Sequence, residues 1–144
     1  MSGYAETYRG QVLASECNFL GHMNIQFYAA RVSHAIWSMS YMIGIPAKDI
    51  KGGKKALVSV RQEIDFLGEL MAGDILHMET GILKTTNKTL TLHNKLINSA
   101  TGETVMTNEM TAAYMDVSLR KAVPLTSEMR ANIENFMISQ EAAT

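Results

Sequence analysis

The fold of this chain is decided by residues 16–28, which read ECNFLGHMNIQFY. Before this stretch, the segment from Tyr8 to Ala14 is predicted to form a β-strand. Within it, Asn24 can cap a helix, because its side chain can accept a hydrogen bond from a first-turn N–H. After it, apolar side chains recur at three- and four-residue steps until Gly44, just before Ile45-Pro46. This spacing predicts one long helix, and its mostly apolar faces indicate that the helix is buried.

Four further strands are predicted after the helix. Their apolar residues alternate with polar ones, as expected for strands buried on one face. The predicted strands run from Leu57 to Phe66, Asp74 to Leu83, Thr89 to Asn98 and Thr104 to Asp116. A final amphipathic helix is predicted from Thr126 to Gln140, with Ser127 as a candidate cap. This order predicts an α+β fold in which one antiparallel five-stranded sheet wraps around a long central helix, with a C-terminal helix in addition.

The composition limits the classes of protein to which the chain can belong. It has 144 residues, 47% hydrophobic and 19% charged, which is typical of a single globular domain, here residues 1–144. The net charge of −1 gives no electrostatic basis for binding nucleic acid or an anionic membrane. No apolar run reaches the roughly 20 residues of a membrane span. The N-terminus lacks the features of a signal peptide, and a single cysteine excludes an internal disulfide framework. We therefore expect a cytoplasmic protein.

Residues 15–28 resemble the signature of the hotdog-fold acyl-CoA thioesterases of the 4-hydroxybenzoyl-CoA thioesterase type. In that family the pattern is approximately acid-x-Asp-x-x-Gly-His-x-Asn-x-x-x-Tyr. The residues of this chain that match the pattern are Glu16, Gly21, His22, Asn24 and Tyr28. Asn18 occupies the position of the family's Asp, which does the chemistry. The resemblance extends with lower specificity from Tyr8 to Pro124. It implies a hotdog fold and an acyl-CoA thioesterase.

The resemblance implies catalytic roles for four residues. Hydrolysis of a thioester requires an attacking group and donors that stabilise the oxyanion. The backbone N–H of Ile25, at the helix N-terminus, would polarise the thioester carbonyl. Asn18 would position the water or the substrate, because a neutral amide can hydrogen-bond but cannot act as nucleophile or base. Glu16 or His22 would accept the proton, and strand alternation would point the Glu16 side chain in the same direction as that of Asn18.

Each of these side chains also has a structural interpretation. Asn18 can organise the turn before the helix, Glu16 can be a solvated or salt-bridged carboxylate, and His22 can brace the loop. Tyr28, one turn into the helix, either packs in the core or lines the acyl pocket. Some hotdog thioesterases carry their catalytic acid on the central helix, but there is no Asp or Glu between Asn24 and Ile43.

The substrate implied by the resemblance is an acyl-CoA. Gly21 would let the thioester approach closely, and Asn24 and Tyr28 would contact it. Arg120 and Lys121 would bind the phosphates of coenzyme A, with ordinary solvated surface as the alternative for this basic pair. No cofactor or metal is indicated, because the chain has neither a Gly-rich nucleotide loop nor a metal-ligand spacing.

The sequence leaves the acyl group and the retention of hydrolysis open. Cys17 before the Asp position and Met23 after Gly-His also resemble carnitine-pathway thioesterases, which would take a quaternary ammonium acyl group. Aromatic side chains can hold such a cation. Because Asn18 replaces the family's Asp, a non-catalytic acyl-CoA-binding hotdog protein is the alternative function. Family members pair exposed sheet edges across subunits, which predicts a homodimer or a dimer of dimers.

Overall fold

A computed structural model describes Gly3 to Ala143, and Met1, Ser2 and Thr144 lie outside the described residues. Within the described range the chain forms six strands and three α-helices. In chain order these are β1 Ala5–Gln11, α1 Ile25–Met42, α2 Ala47–Lys51, β2 Lys55–Phe66, β3 Ile75–Thr85, β4 Thr89–Asn98, β5 Thr104–Asp116, β6 Lys121–Ala122 and α3 Ser127–Ile133. The predicted order of strand, long helix and four consecutive strands is confirmed.

The first strand differs from its prediction. β1 begins and ends three residues earlier than expected, and the chain then turns through a 3-10 segment, Ala14–Glu16. The turn is closed from both sides, because Glu16 N–H donates to Leu13 O and the Glu16 carboxylate accepts from Leu13 N–H, each at 2.9 Å. The strand therefore does not continue through Glu16. Strand alternation does not set the direction of the Glu16 side chain relative to that of Asn18.

The long helix α1 follows its prediction. Asn24 caps it, since its side chain accepts a hydrogen bond from Gln26 N–H at 3.2 Å. The helix ends at Met42, and Gly44 follows with a φ of 100°, a left-handed conformation that favours glycine. Its buried side, which includes the fully buried Met39, contacts β1, β2 and β3. Neither α1 nor another helix in the described range is long and apolar enough to cross a bilayer.

The five long strands form one antiparallel sheet in the order β1-β3-β4-β5-β2, and the short β6 pairs with the end of β5. Large apolar side chains on the core side of the sheet are fully buried together with those of α1. Among them are Leu76, Met78, Ile82, Leu90, Leu92 and Leu96. The core therefore lies between the sheet and α1, as predicted. β1 and β2 are the edge strands, so the outer side of each has no strand partner within the described chain.

A row of polar side chains crosses the core side of the sheet. Thr80 on β3 donates to Asn94 on β4 at 2.6 Å, and Asn94 donates to Asn108 on β5 at 2.9 Å. Asn108 in turn donates to Gln62 on β2 at 2.9 Å. The first three of these side chains are almost completely buried. Because each side chain satisfies the next, a one-residue slip of any strand would leave buried amides without partners, and the row specifies the register.

The C-terminal helix is shorter than predicted. Its cap is Thr126 rather than Ser127, because the Thr126 hydroxyl accepts a hydrogen bond from a first-turn N–H. The α-helix ends at Ile133 and a 3-10 turn follows. The next segment then leaves the helical path and pairs with β3, where Ile138 N–H donates to Ile82 O at 2.9 Å. Pairing with the sheet therefore overrides the helical periodicity of the last residues.

Candidate functional site

A cavity of about 300 Å³ opens where the loop before α1 meets the end of β2. Its lining comes from the loop and α1 on one side and from β2 and the following segment on the other. These residues are Asn18, His22, Met23, Asn24, Ile25, Tyr28, Phe66, Gly68 and Glu69. The structure thus brings together the predicted residues Asn18, His22, Asn24, Ile25 and Tyr28.

Backbone hydrogen bonds hold residues 18–22 in a tight turn. Gly21 N–H donates to Asn18 O at 3.0 Å, and Asn18 N–H donates to His22 O at 3.1 Å. Gly21 has a φ of 93°, which a residue with a Cβ adopts only with strain. Gly21 is not among the residues that line the cavity. Gly21 shapes the turn that presents Asn18 and His22, and its contact with the substrate stays a prediction.

Asn18 lines this cavity, and one end of its side-chain amide is bonded within the turn. Its Oδ1 accepts from Leu20 N–H at 2.9 Å, and this contact identifies the oxygen because a backbone N–H can only donate. No described residue accepts a hydrogen bond from Asn18 Nδ2. The Asn18 oxygen therefore organises the turn, as its structural interpretation expects. Its Nδ2 keeps two hydrogens to donate, and its role in positioning water or substrate stays a prediction.

The N-terminus of α1 supplies a second donor. The Asn24 side chain accepts from Gln26 N–H, and Asn24 O accepts from Phe27 N–H at 3.0 Å. The intervening Ile25 N–H has no acceptor within the described part of the chain. It lies at the positive end of an 18-residue helix, where free N–H groups attract negative charge. Asn18 and Ile25 thus provide two donors beside one cavity.

Glu16 is committed to an ion pair with Arg31. Arg31 Nη1 lies 2.6 Å from Glu16 Oε2, and Arg31 Nη2 donates to Glu16 Oε1 at 2.8 Å. These hydrogen bonds lower the pKa of Glu16, so its carboxyl is ionised. Leu13 N–H also donates to Oε1, and Glu16 is not among the residues lining the cavity. Glu16 thus anchors the loop with both of its oxygens already bonded, and its role as the base stays a prediction.

Tyr28 both packs in the core and lines the cavity. Its side chain is buried, and its ring meets that of Phe66 edge to face with the ring centroids 5.2 Å apart. Burial raises the pKa of Tyr28, so its phenol is neutral at physiological pH. Phe66 is about half exposed, which leaves part of this aromatic pair facing the cavity.

A single chain does not bring Arg120 and Lys121 to the cavity. Lys121 belongs to β6, which pairs with the end of β5, and Arg120 lies beside Val58 on β2. Phe66 at the cavity lies eight residues further along β2, a distance of about 26 Å in an extended strand. The predicted phosphate-binding pair is therefore at the opposite end of the sheet edge from the rest of the site.

Two further side chains of the site were not identified from the sequence. Phe66 supplies an aromatic ring, and Glu69 places a carboxylate near the predicted loop, with Glu69 Oε1 3.9 Å from His22 Nε2. Both follow the loop by more than 40 residues, so no local spacing connects them with it. Among the described residues, no third His, Cys, Asp or Glu joins this pair to form a group that could hold a metal ion.

Comparison with known families determines the family of the chain. The sequence profile of the thioesterase-like superfamily matches residues 12–133, which cover the loop, α1 and the strands β2 to β5. The chain belongs to the thioesterase-like superfamily. The prediction from the sequence that the chain belongs to a thioesterase family is therefore confirmed.

Relatives of this thioesterase-like chain include enzymes with named substrates. A betainyl-CoA thioesterase of Pseudomonas aeruginosa is 23% identical over 93% of this chain and 84% of that protein. An L-carnitine dehydrogenase/betainyl-CoA thioesterase of Agrobacterium fabrum is 27% identical over 86% of this chain. The matched region covers 25% of that longer protein, so the chain corresponds to one part of it.

A solved structure confirms the fold. A Staphylococcus aureus protein determined in complex with CoA superimposes with a TM-score of 0.82, covering 94% of this chain and 85% of that chain at 19% identity. At this identity the match concerns the fold alone. The predicted α+β hotdog fold, with an antiparallel sheet wrapped around a long helix and a C-terminal helix, is confirmed.

Proposed function

We propose that this protein is an acyl-CoA thioesterase, which converts an acyl-CoA and water into a carboxylic acid and coenzyme A. The observation that carries the proposal is the free Ile25 N–H beside the Asn18 amide donor in one cavity. Two such donors stabilise the negative charge that develops on the thioester oxygen. Membership of the thioesterase-like superfamily supports the same reaction.

In this proposal the attacking group is water, because Asn18 cannot act as a nucleophile. His22 lines the cavity and accepts the proton as the water oxygen bonds to the thioester carbon. The tetrahedral intermediate then collapses, the C–S bond breaks, and the thiolate of coenzyme A leaves. Protonation of this thiolate by His22 returns the site to its starting state.

We further propose that the acyl group carries a quaternary ammonium. The rings of Tyr28 and Phe66 meet at the cavity, and Glu69 adds a negative charge there. No Lys or Arg is among the described residues of the lining, so a cation meets no repulsion from it. Aromatic faces attract such a cation by about 0.5–2 kcal/mol. The betainyl-CoA thioesterases among the relatives are consistent with this choice of acyl group.

We also propose that two copies of the chain pair along β2. The outer edge of this strand lacks a partner within the described chain, and Val58 and Val60 on it are exposed. Antiparallel pairing about a two-fold axis near Gln62 would set Val58 of one copy opposite Phe66 of the other. The Arg120 region of one subunit would then lie beside the cavity of the other, where coenzyme A phosphates need cations.

The pairing along β2 explains why one chain separates the predicted substrate-binding residues. It is compatible with a homodimer or with a dimer of dimers. We also propose that the protein is cytoplasmic and that residues 1–144 are a single functional domain. If the pairing is correct, Arg120→Ala raises KM for an acyl-CoA without lowering kcat. Val60→Pro should convert the assembly to monomers in sedimentation velocity, because proline has no N–H to donate across the paired edges.

The reaction and the acyl group are tested with two substrates that differ in one atom. Betainyl-CoA and 3,3-dimethylbutyryl-CoA have the same shape, but only the first carries a charged nitrogen. We expect thiol release from both and a kcat/KM for betainyl-CoA that is about tenfold higher, equivalent to about 1.4 kcal/mol. Phe66→Leu should reduce this preference, whereas Tyr41→Leu, an exposed aromatic outside the cavity lining, should leave it unchanged.

Each outcome of that comparison has a definite meaning. Equal kcat/KM values for the two substrates would refute the cationic acyl group and leave the thioesterase intact. Binding of both acyl-CoAs without thiol release would refute the thioesterase and favour the alternative of a non-catalytic acyl-CoA-binding protein.

A further inference from the structure

Glu69 provides a carboxylate at the site. The two places where the resemblance would put the catalytic acid, position 18 and the central helix α1, have none. Asn18 is neutral, α1 contains no Asp or Glu, and the Glu16 carboxylate is bonded to Arg31. Glu69 lies on the connection between β2 and β3 and is the one carboxylate among the described residues of the cavity lining. The site therefore has one negative group that has no role in the hydrolysis steps assigned to Asn18, His22 and Ile25.

Backbone pairing holds Glu69 close to His22. His22 and Met71 form an isolated antiparallel bridge, and Met23 N–H donates to Leu70 O at 2.7 Å. These contacts join the loop before α1 to the segment that carries Glu69. The paired backbones therefore set the segment of Glu69 beside His22, and the Glu69 side chain, which is 70% exposed, reaches the imidazole from there.

We propose that His22 and Glu69 act as one unit that accepts the proton of the attacking water, in place of the carboxylate that Asn18 replaces. This inference rests on the proposed thioesterase function. Glu69 lies near Nε2 of His22, so Nδ1 is the nitrogen that takes the proton. The water oxygen forms its bond to the thioester carbon as the proton moves to Nδ1. Glu69 stabilises the resulting imidazolium, and the same proton later passes to the leaving thiolate.

The separation of 3.9 Å between Nε2 and Oε1 is longer than a hydrogen bond. Catalytic contacts are often long in the absence of substrate and shorten in the reacting complex. Positive charge on His22 would draw the two groups together. Glu69 is therefore a positioning residue that acts through His22, whereas His22 touches the reacting water.

The other titratable groups around His22 do not compete for this proton. Tyr28 lines the same cavity, but burial and, to a smaller extent, the charge of Glu69 raise the pKa of Tyr28 and keep the phenol neutral. Glu16 is held by Arg31, whose guanidinium lowers the pKa of that carboxyl. The cavity lining in the described residues has no Lys or Arg to neutralise Glu69.

The test uses Glu69→Gln with the neutral 3,3-dimethylbutyryl-CoA, so that a lost attraction for a cationic acyl group does not enter the result. We expect kcat to fall about a hundredfold with KM unchanged, because the proton acceptor His22, whose contribution is about 10²–10⁴-fold, loses the carboxylate that orients it and stabilises its imidazolium. The matched control is Glu79→Gln. Glu79 forms the corresponding pair with His77 on β3, at 3.4 Å and away from the cavity, so this variant should keep the wild-type kcat.

Two further variants separate chemistry from folding. His22→Asn/Glu69→Gln should be no slower than the more impaired single variant, because residues that act as a unit are not additive. Asn18→Asp/Glu69→Gln should recover kcat, since it places a carboxylate where the resemblance expects the reacting Asp. If Glu69→Gln lost activity only because it misfolded, adding Asn18→Asp would not restore its kcat.

The inference is overturned if the wild type hydrolyses the substrate and Glu69→Gln has the same kcat, an outcome that leaves the proposed thioesterase intact. It is also overturned if Glu69→Gln changes KM alone, which would make Glu69 a binding residue. A wild-type protein that hydrolyses neither acyl-CoA would instead refute the proposed function itself, and with it the role of Glu69.

Discussion

Substitution Glu16→Gln is expected to destabilise the protein by about 3 kcal/mol, because it leaves the Arg31 guanidinium buried without a counter-ion. The side chains of Arg31 and Glu16 are only 5% and 12% exposed. Gln keeps one oxygen and so retains one of the two hydrogen bonds from Arg31. The other is lost together with the charge. The value lies at the low end of the range for broken buried pairs, since Arg31 Nη2 also donates to Gln11 O at 3.0 Å.

The assay is urea unfolding of the wild type, Glu16→Gln, Arg31→Met and the double variant. The double variant should be more stable than the sum of the two single effects predicts, because it removes both charges. Thermal unfolding should show a fall of about 6–12 °C in Tm for Glu16→Gln, given the size of the chain. Glu6→Gln is the matched control. Its carboxylate pairs with Arg9 at 2.6 Å, but both side chains are about half exposed, so the change should be below about 1 kcal/mol.

The same pair predicts a dependence of stability on pH. The hydrogen bonds from Arg31 lower the pKa of Glu16 from its ordinary value of 4.5. A carboxyl whose pKa is depressed by folding contributes stability that is fully present above the unfolded pKa. That contribution is lost as the pH falls through the lower, folded pKa. The difference in the free energy of unfolding between wild type and Glu16→Gln should therefore be constant above about pH 5 and shrink below it.

A different result would refute the structural role of this pair. If Glu16→Gln kept the wild-type free energy of unfolding but lost hydrolysis, Glu16 would be a chemical group of the site. The coupling between Glu16 and Arg31 would then be close to zero in the double-mutant cycle. Measurement of kcat alone would not distinguish the two cases, because the ion pair also holds the loop that carries Asn18.

Three further predictions concern the sheet. Gly81→Ala should destabilise the fold by about 1–3 kcal/mol in urea unfolding. The added Cβ would lie 2.6 Å from Ile138 Cγ2. Unchanged stability would show that the C-terminal segment does not pack there. Asn94→Ala should lower the free energy of unfolding by about 1–3 kcal/mol, because it leaves the buried amide oxygen of Asn108 without its donor. A variant more stable than the wild type would contradict this. Burial lowers the pKa of His93 from 6.5, so NMR should give a midpoint below that value. The stability due to neutral His93 should be present above about pH 6.5 and lost as the pH falls towards the folded pKa.

The long helix and the last two long strands were predicted with little error, because their determinants are local. Asn24 and Gly44 mark the ends of α1 through a side-chain cap and a left-handed backbone. Alternation of apolar residues determines the bounds of β4 and β5, which agree with the prediction. The C-terminal helix was predicted too long, because pairing of Ile138 with β3 competes with helical periodicity.

The sequence predicted only those residues of the candidate site that are close together along the chain. Asn18, His22 and Ile25 lie within eight residues of each other, so their proximity needs only the turn and the helix cap. Phe66 and Glu69 enter the site from the end of β2, and no spacing along the chain connects them with the loop. Their position depends on how the β2–β3 connection pairs with that loop.

The sequence by itself determined the order of the elements, the buried central helix and the loop with its two hydrogen-bond donors. Periodicity, capping and turn formation depend on residues a few positions apart, so the chain carries this information locally. Only the tertiary structure decided which carboxylate is free. Glu16 pairs with Arg31, while Glu69 lies beside His22. An ion pair forms only when its two groups come within a few ångströms, and which groups come that close is determined by packing and strand register rather than by distance along the chain.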